Sequence, residues 1–132
     1  MEWAAPPTLL PAHPRTQKRC EELGLWEAFV SLPNLVLTEP MGYFAFQKLI
    51  AHADAVITDS GGIQEETTFR QVPCITLRPN TERPSTIDLG TNVLIQRNLD
   101  DVLHALAHPK QGTIPPMWDG CATERILDII TA

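Results

Sequence analysis

The stretch from Ala55 to Gln71, AVITDSGGIQEETTFRQ, constrains the fold of this chain more than any other. Ala55, Val56, Ile57 and Thr58 make a short apolar run of the kind found in buried parallel strands. Asp59, Ser60, Gly61 and Gly62 read as a turn, and residues 63–70 have helical composition. Glycines at a strand-to-helix turn let another molecule approach the backbone, because no Cβ stands in the way. A helix start leaves several N–H groups without intrahelical partners, and its dipole favours negative charge. Together these predict an anion site, most readily for phosphate. The turn is neither a Walker loop, since no Gly-Lys-Ser/Thr follows, nor the dinucleotide GxGxxG.

Around this unit, apolar runs alternate with helical patterns. Strands are expected at residues 8–10, 35–37, 55–58, 74–77 and 93–95. Helices are expected at residues 16–25, from Met41 onward with an apolar stripe at Phe46, Leu49, Ile50 and Ala53, and at 63–70. Further helices follow at 84–89, after Asn98 as a cap, and at 122–130. Residues 26–30 make a further turn, residues 1–7 a ragged lead-in, and residues 109–120 a Pro- and Gly-rich linker. This alternation predicts an α/β fold with a Rossmann-like parallel sheet and helices on both faces. Ligands on such sheets sit beyond the carboxyl ends of the strands. His13, Met41, Ser60 and residues 78–83 all follow a strand, so they are expected at one edge.

The strings TDSGGIQEE, VPCITLR, NTERP and GTNVLI, preceded by HPRTQKR and EPMGYFAFQKLI, resemble the C-terminal half of the non-hydrolysing UDP-N-acetylglucosamine 2-epimerases. The resemblance runs from about Leu9 to Ile95, with the motifs in the family's order. The hydrolysing branch carries a serine-rich version of the glycine turn, so Asp59-Ser60-Gly61-Gly62 favours the non-hydrolysing branch. Such enzymes have two Rossmann-like halves facing across a cleft, the glycosyltransferase-B-like architecture. The 132 residues are therefore expected to be one such half, a single UDP-binding domain with residues 110–120 linking to its last helix.

Each candidate residue has a structural reading beside the functional one. Ser60 can cap its helix and also bind phosphate; Gly61 and Gly62 complete that turn. Glu65 and Glu66 suit the first helical turn as solvated acids. Glu66 lies about 6 Å along the helix from Gly62, and the resemblance gives it the ribose hydroxyls, leaving Glu65 to face solvent. His13 is a lone histidine beside a proline; the resemblance sets it beside the diphosphate and sugar, as the one catalytic candidate. Arg15 can cap or salt-bridge, and the resemblance adds it to the substrate contacts. Arg83 can be a surface charge or, as NTERP implies, a substrate contact suited to phosphate. Phe46 reads as core from its stripe, whereas the resemblance puts it against uracil. Met41 corresponds to a base-contacting position.

Other classes are poorly supported. A net charge of −6 gives no footprint for nucleic acid or an anionic membrane surface. No apolar run reaches the roughly 20 residues of a membrane-spanning helix, and the N-terminus lacks a signal-peptide pattern. Cys20, Cys74 and Cys121 are widely spaced, which argues for a cytoplasmic compartment rather than a disulfide framework. His104 and His108 stand four apart with no third ligand in sight, so no metal site is assigned. No cofactor is expected.

The resemblance implies interconversion of UDP-N-acetylglucosamine and UDP-N-acetylmannosamine through elimination and re-addition of UDP, by an enzyme that is homodimeric at full length. The acid/base carboxylates belong to the other half, so these residues alone are expected to be inactive. A glycosyltransferase half-domain and a non-catalytic nucleotide-sugar binding module are the alternatives.

Overall fold

The computed structural model describes residues 6–96 and 98–132, so most of the expected lead-in over residues 1–7 lies outside the described residues. In chain order the elements are β1 (Thr8–Pro11), α1 (Pro14–Glu22), α2 (Trp26–Val30), β2 (Leu35–Thr38), α3 (Tyr43–Ala51) and β3 (Val56–Thr58). There follow α4 (Gly61–Arg70), β4 (Cys74–Thr76), α5 (Pro84–Asp88), β5 (Asn92–Leu94), α6 (Leu99–Ala107) and α7 (Ala122–Ile130). The chain divides into two compact units, Met1–Phe46 and Gln47–Ala132, with the boundary inside α3.

In the first unit β1 and β2 pair in parallel, with Thr8 opposite Leu35 and Pro11 opposite Thr38. Helix α1 starts at Pro14, two residues earlier than expected, because proline's fixed φ suits the first helical position. It closes at Glu22, and Gly24 follows in the left-handed region at φ +67°. The expected turn at residues 26–30 is a short helix whose Trp26 and Phe29 rings stack 6.2 Å apart.

The second unit holds a parallel ladder in the order β3-β4-β5, with Val56, Cys74 and Asn92 in register. Every ladder among the described residues is parallel, as the α/β reading required. Strand β4 is buried at all three residues but ends at Thr76, leaving Leu77 exposed one position short of the expected end. Helix α4 stops at Gln71, which takes the left-handed conformation at φ 60° without being glycine. Its side-chain amide compensates by donating to the Thr68 carbonyl at 2.6 Å.

The buried set is mixed in character. Ile50, Val72, Cys74, Ile75 and Ile95 are its apolar members, each large one contributing about 1.5–3 kcal/mol through burial. Gln47, Gln64, Thr67, Thr68, Thr76, Thr86, Thr91 and Asn92 are buried with them. Buried polar groups must find hydrogen bonds or impose a desolvation cost. Gln64, Thr76, Thr86 and Asn92 belong to one network described below, and Thr67 and Thr91 donate to backbone carbonyls. After α6, Lys110 donates to the carbonyls of Ile87 and Asn92, and the Thr113 N–H donates to Leu89 O at 2.7 Å. Between them Gly112 crosses Gly90 at a distance that leaves no room for a side chain.

Candidate functional site

Strand β3 delivers the chain to Ser60, whose extended backbone (φ −85°, ψ 129°) makes it the N-cap of α4. The Ser60 N–H donates to Thr58 Oγ1 at 3.1 Å, while its own hydroxyl makes no capping bond. Of the two compatible readings for Ser60, its position is that of a cap, and its hydroxyl is left over for a ligand. Gly61 and Gly62 are the first two residues of the helix, not a separate turn as expected. Neither has positive φ, so their value lies in space and not in backbone freedom. The leading N–H groups of α4 therefore point out of its first turn without intrahelical acceptors.

The loop between β4 and α5 lies over that first turn. The Glu82 Oε1 atom stands 2.6 Å, and Arg83 Nε 3.9 Å, from the point a Cβ on Gly61 would occupy. Arg78 donates to the other Glu82 oxygen at 3.2 Å. The Glu82 carboxyl is held below the usual carboxylate range, first by its own backbone N–H and then by Arg78. Arg83 Nε lies 3.3 Å from Glu65 Oε2, an ion-pair distance without hydrogen-bond alignment. Glu65 is thus paired rather than simply solvent-facing, a correction to the sequence reading. The pair is about two-fifths exposed on both sides, so it contributes little to stability.

A chain of hydrogen bonds beneath the loop determines where Arg83 stands. Thr76 Oγ1 on β4 donates to Asn92 Oδ1 on β5 at 2.7 Å. The Asn92 amide donates to Gln64 Oε1 on α4 and to Thr86 Oγ1 on α5, each at 3.1 Å. Thr81 Oγ1 donates to Gln64 Oε1 at 2.6 Å and accepts from the Arg83 N–H at 3.0 Å. Thr86 Oγ1 in turn donates to the Arg83 carbonyl at 2.7 Å. Both backbone groups of Arg83 are therefore tied to a network rooted in the buried Gln64, Thr86 and Asn92, where a broken bond would strand a buried partner. Sequence reasoning assigned nothing to Gln64, Thr81, Thr86 or Asn92. Gln64 and Thr81 lie in polar stretches and Thr86 in a short mixed helix, so nothing local marked them; Asn92 alone stands out as a polar residue leading into an apolar run.

Glu66 points elsewhere on the same helix. Its Oε2 accepts from the Gln47 side-chain amide at 2.5 Å, and Gln47 Oε1 accepts from Arg70 Nε at 2.8 Å. The buried face of α3 is thus centred on Gln47 and Ile50, while Phe46 is half-buried.

In the first unit, His13 is the N-cap of α1, and its Nδ1 accepts from the Arg15 N–H at 3.2 Å. When neutral, the ring then carries its proton on Nε2, the atom left for other partners. Both His13 and Arg15 are exposed, and Met41 is half-buried. In the second unit, an open depression of about 380 Å³ lined by Leu77, Gln96, Asn98, Leu99 and Val102 contains none of the expected site residues. The His104 and His108 rings stack 4.4 Å apart, and no group of three metal-ligating side chains occurs among the described residues. Burial pushes the Cys74 thiol up, away from nucleophilic use.

What this arrangement offers chemically is anion recognition: free N–H groups, an uncommitted hydroxyl and a guanidinium with a fixed backbone. A family model described as UDP-N-acetylglucosamine 2-epimerase matches residues 2–131. The chain is 41% identical over 122 residues to the UDP-N-acetylglucosamine 2-epimerase of Methanocaldococcus jannaschii, covering 90% of this chain and 33% of that protein. It is 35% identical over 99 residues to the UDP-2,3-diacetamido-2,3-dideoxy-D-glucuronate 2-epimerase of Pseudomonas aeruginosa, covering 75% of this chain and 26% of that one. Among solved structures it resembles the M. jannaschii UDP-GlcNAc 2-epimerase in complex with UDP-GlcNAc and UDP. The TM-score is 0.81 at 39% identity, over 93% of this chain and 35% of that one. The chain spans about a third of the length of the curated relatives it matches.

Proposed function

The chain belongs to the UDP-N-acetylglucosamine 2-epimerase family, and on that premise we propose that its residues are the UDP-binding half of such an enzyme. The observation that carries this reading is the first turn of α4. Ser60 has an uncommitted hydroxyl, Gly61 has no Cβ, and Arg83 approaches the same point. A diphosphate laid there, with the flexible Glu82 carboxylate swung aside, meets the helix dipole, unpartnered N–H groups and a guanidinium together. Glu66, further along the helix, takes the ribose hydroxyls. The roles that the resemblance implies for His13, Arg15, Met41 and Phe46 belong to the same proposal.

In the complete enzyme the reaction is inversion at C2 of the sugar, by elimination of UDP and its re-addition to the opposite face. The part supplied here is stabilisation of the charge on the departing diphosphate. Proton removal and return at C2 need a base and an acid within hydrogen-bond reach of the carbon on both faces, and these come from the other half. Relatives acting on N-acetylglucosamine and on a diacetamido-glucuronate share UDP, so the nucleotide is the firm part of the substrate assignment. Three cysteines free of disulfides fit a reducing, cytoplasmic setting, and a homodimer is the proposed state of the full-length enzyme. No described helix is long and apolar enough to cross a membrane.

Isothermal titration tests the proposal. UDP should bind with an affinity around millimolar, about 4 kcal/mol, and free N-acetylglucosamine should bind far more weakly. Equal binding of the free sugar and UDP would remove the nucleotide from the centre of the account.

A further inference from the structure

Gln47 is a polar residue, only 5% exposed, on the buried face of α3. Apolar residues usually fill such a position, so its amide calls for a reason. Both ends of that amide are committed to α4. Nε2 donates to Glu66 Oε2 at 2.5 Å, and Oε1 accepts from Arg70 Nε at 2.8 Å. The partners fix which end is which. A flipped amide would set its NH₂ against the Arg70 N–H and its oxygen against a carboxylate. Glu66 and Arg70 are four apart on α4, a spacing at which they could pair directly. Instead one glutamine stands between them, and each charged group contacts a neutral amide.

The consequence is an ordered carboxylate. A glutamate on a helix surface normally samples several rotamers, and a ligand that uses it must order it on binding. Here Oε2 is already anchored, while Oε1 and the second lone pair of Oε2 remain for incoming hydroxyls. We propose that Gln47 is a positioning residue, holding the Glu66 carboxylate in the orientation that the ribose hydroxyls of UDP meet. This rests on the reading of Glu66 as the ribose contact given above. Arg70 completes the device by locking the amide against rotation.

The experiment titrates the 132-residue chain and its variants with UDP and with the UDP analogue lacking both ribose hydroxyls. Glu66→Ala is the reference. Gln47→Glu is isosteric, keeps an acceptor for Arg70 and replaces the donor to Glu66 with a second carboxylate. Gln47→Met removes both polar ends at similar length, so a folded variant remains if one of the two fails. Both Gln47 variants should weaken UDP about tenfold, the scale of one hydrogen bond to a charged group. Both should leave the analogue's affinity unchanged. If Glu66→Ala leaves UDP binding intact, the ribose reading itself fails. If Glu66→Ala weakens binding and the Gln47 variants do not, the positioning role is overturned. An equal loss for UDP and its analogue would also overturn it, since a merely structural glutamine affects both ligands alike.

Discussion

Glu82 Oε1 lies 2.6 Å from where a Cβ on Gly61 would stand, so the carboxylate of the β4–α5 loop occupies the space above the first turn of α4. The neighbour is the free end of a flexible side chain and not backbone. Gly61→Ala should therefore fold almost as well as the parent, with Glu82 swinging aside, because no positive φ makes the position strained. UDP binding should still fall about tenfold or more, since the methyl group blocks close approach to the leading N–H groups. Gly61→Val should lose more. Thermal unfolding and titration on the same samples separate the two effects, and intact UDP binding in both variants would remove the first turn of α4 from the site.

Gly112 is the opposite case. A Cβ there would run into Gly90 C and Gly90 O, atoms of backbone that cannot rotate away. Gly112→Ala should destabilise the fold by about 1–3 kcal/mol, the usual cost of overpacking. A urea midpoint equal to that of the parent chain would mean that the segment after α6 is not held against Gly90.

The contrast between these glycines marks what could be read from the sequence. The strand–Ser–Gly–Gly–helix order was legible because apolar runs and glycine punctuation are local signals, and α7 was expected at its observed bounds for the same reason. That the two glycines belong to the helix was not legible, since composition does not tell a turn from a first helical turn. The network through Gln64, Thr81, Thr86 and Asn92 was illegible too, because its bonds join residues up to 28 positions apart. Gln47 was passed over inside an apolar stripe for that reason, and the Glu65–Arg83 pair depended on a loop whose path only packing decides.

The start of α7 carries a pH-dependent clamp. The Asp119 carboxylate accepts from both terminal nitrogens of Arg125 and from the Cys121 N–H at 3.0 Å. Arg125 above all, and then Cys121, push its pKa down from 3.8 to about 2. A carboxyl whose pKa is depressed by folding adds stability above its unfolded value and loses it as pH falls through the folded one. Asp119→Asn should thus lower the melting temperature at all pH values above about 4, and the difference should shrink toward pH 2. A difference that stayed constant over this range would show that the ionised carboxylate is not what holds the helix start.

These 132 residues on their own should not epimerise UDP-N-acetylglucosamine. In the second unit the ionisable groups around the first turn of α4 include Asp59, Arg78, Arg83, Glu65 and Glu82, the last two each paired with an arginine, with Glu66 further along and held by Gln47. Arginines do not act as bases near neutral pH. Proton NMR in deuterated water reads the outcome: no deuterium should enter at C2 of the sugar. Incorporation would show that this half carries its own base.

The most direct test of the account follows the backbone amides of Ser60, Gly61 and Gly62 by two-dimensional NMR as UDP is added. If the first turn of α4 holds the diphosphate, these three resonances should shift together and saturate along the calorimetric binding curve, and free N-acetylglucosamine should leave them in place. Saturable UDP binding that moves other amides and leaves these three unshifted would contradict the account.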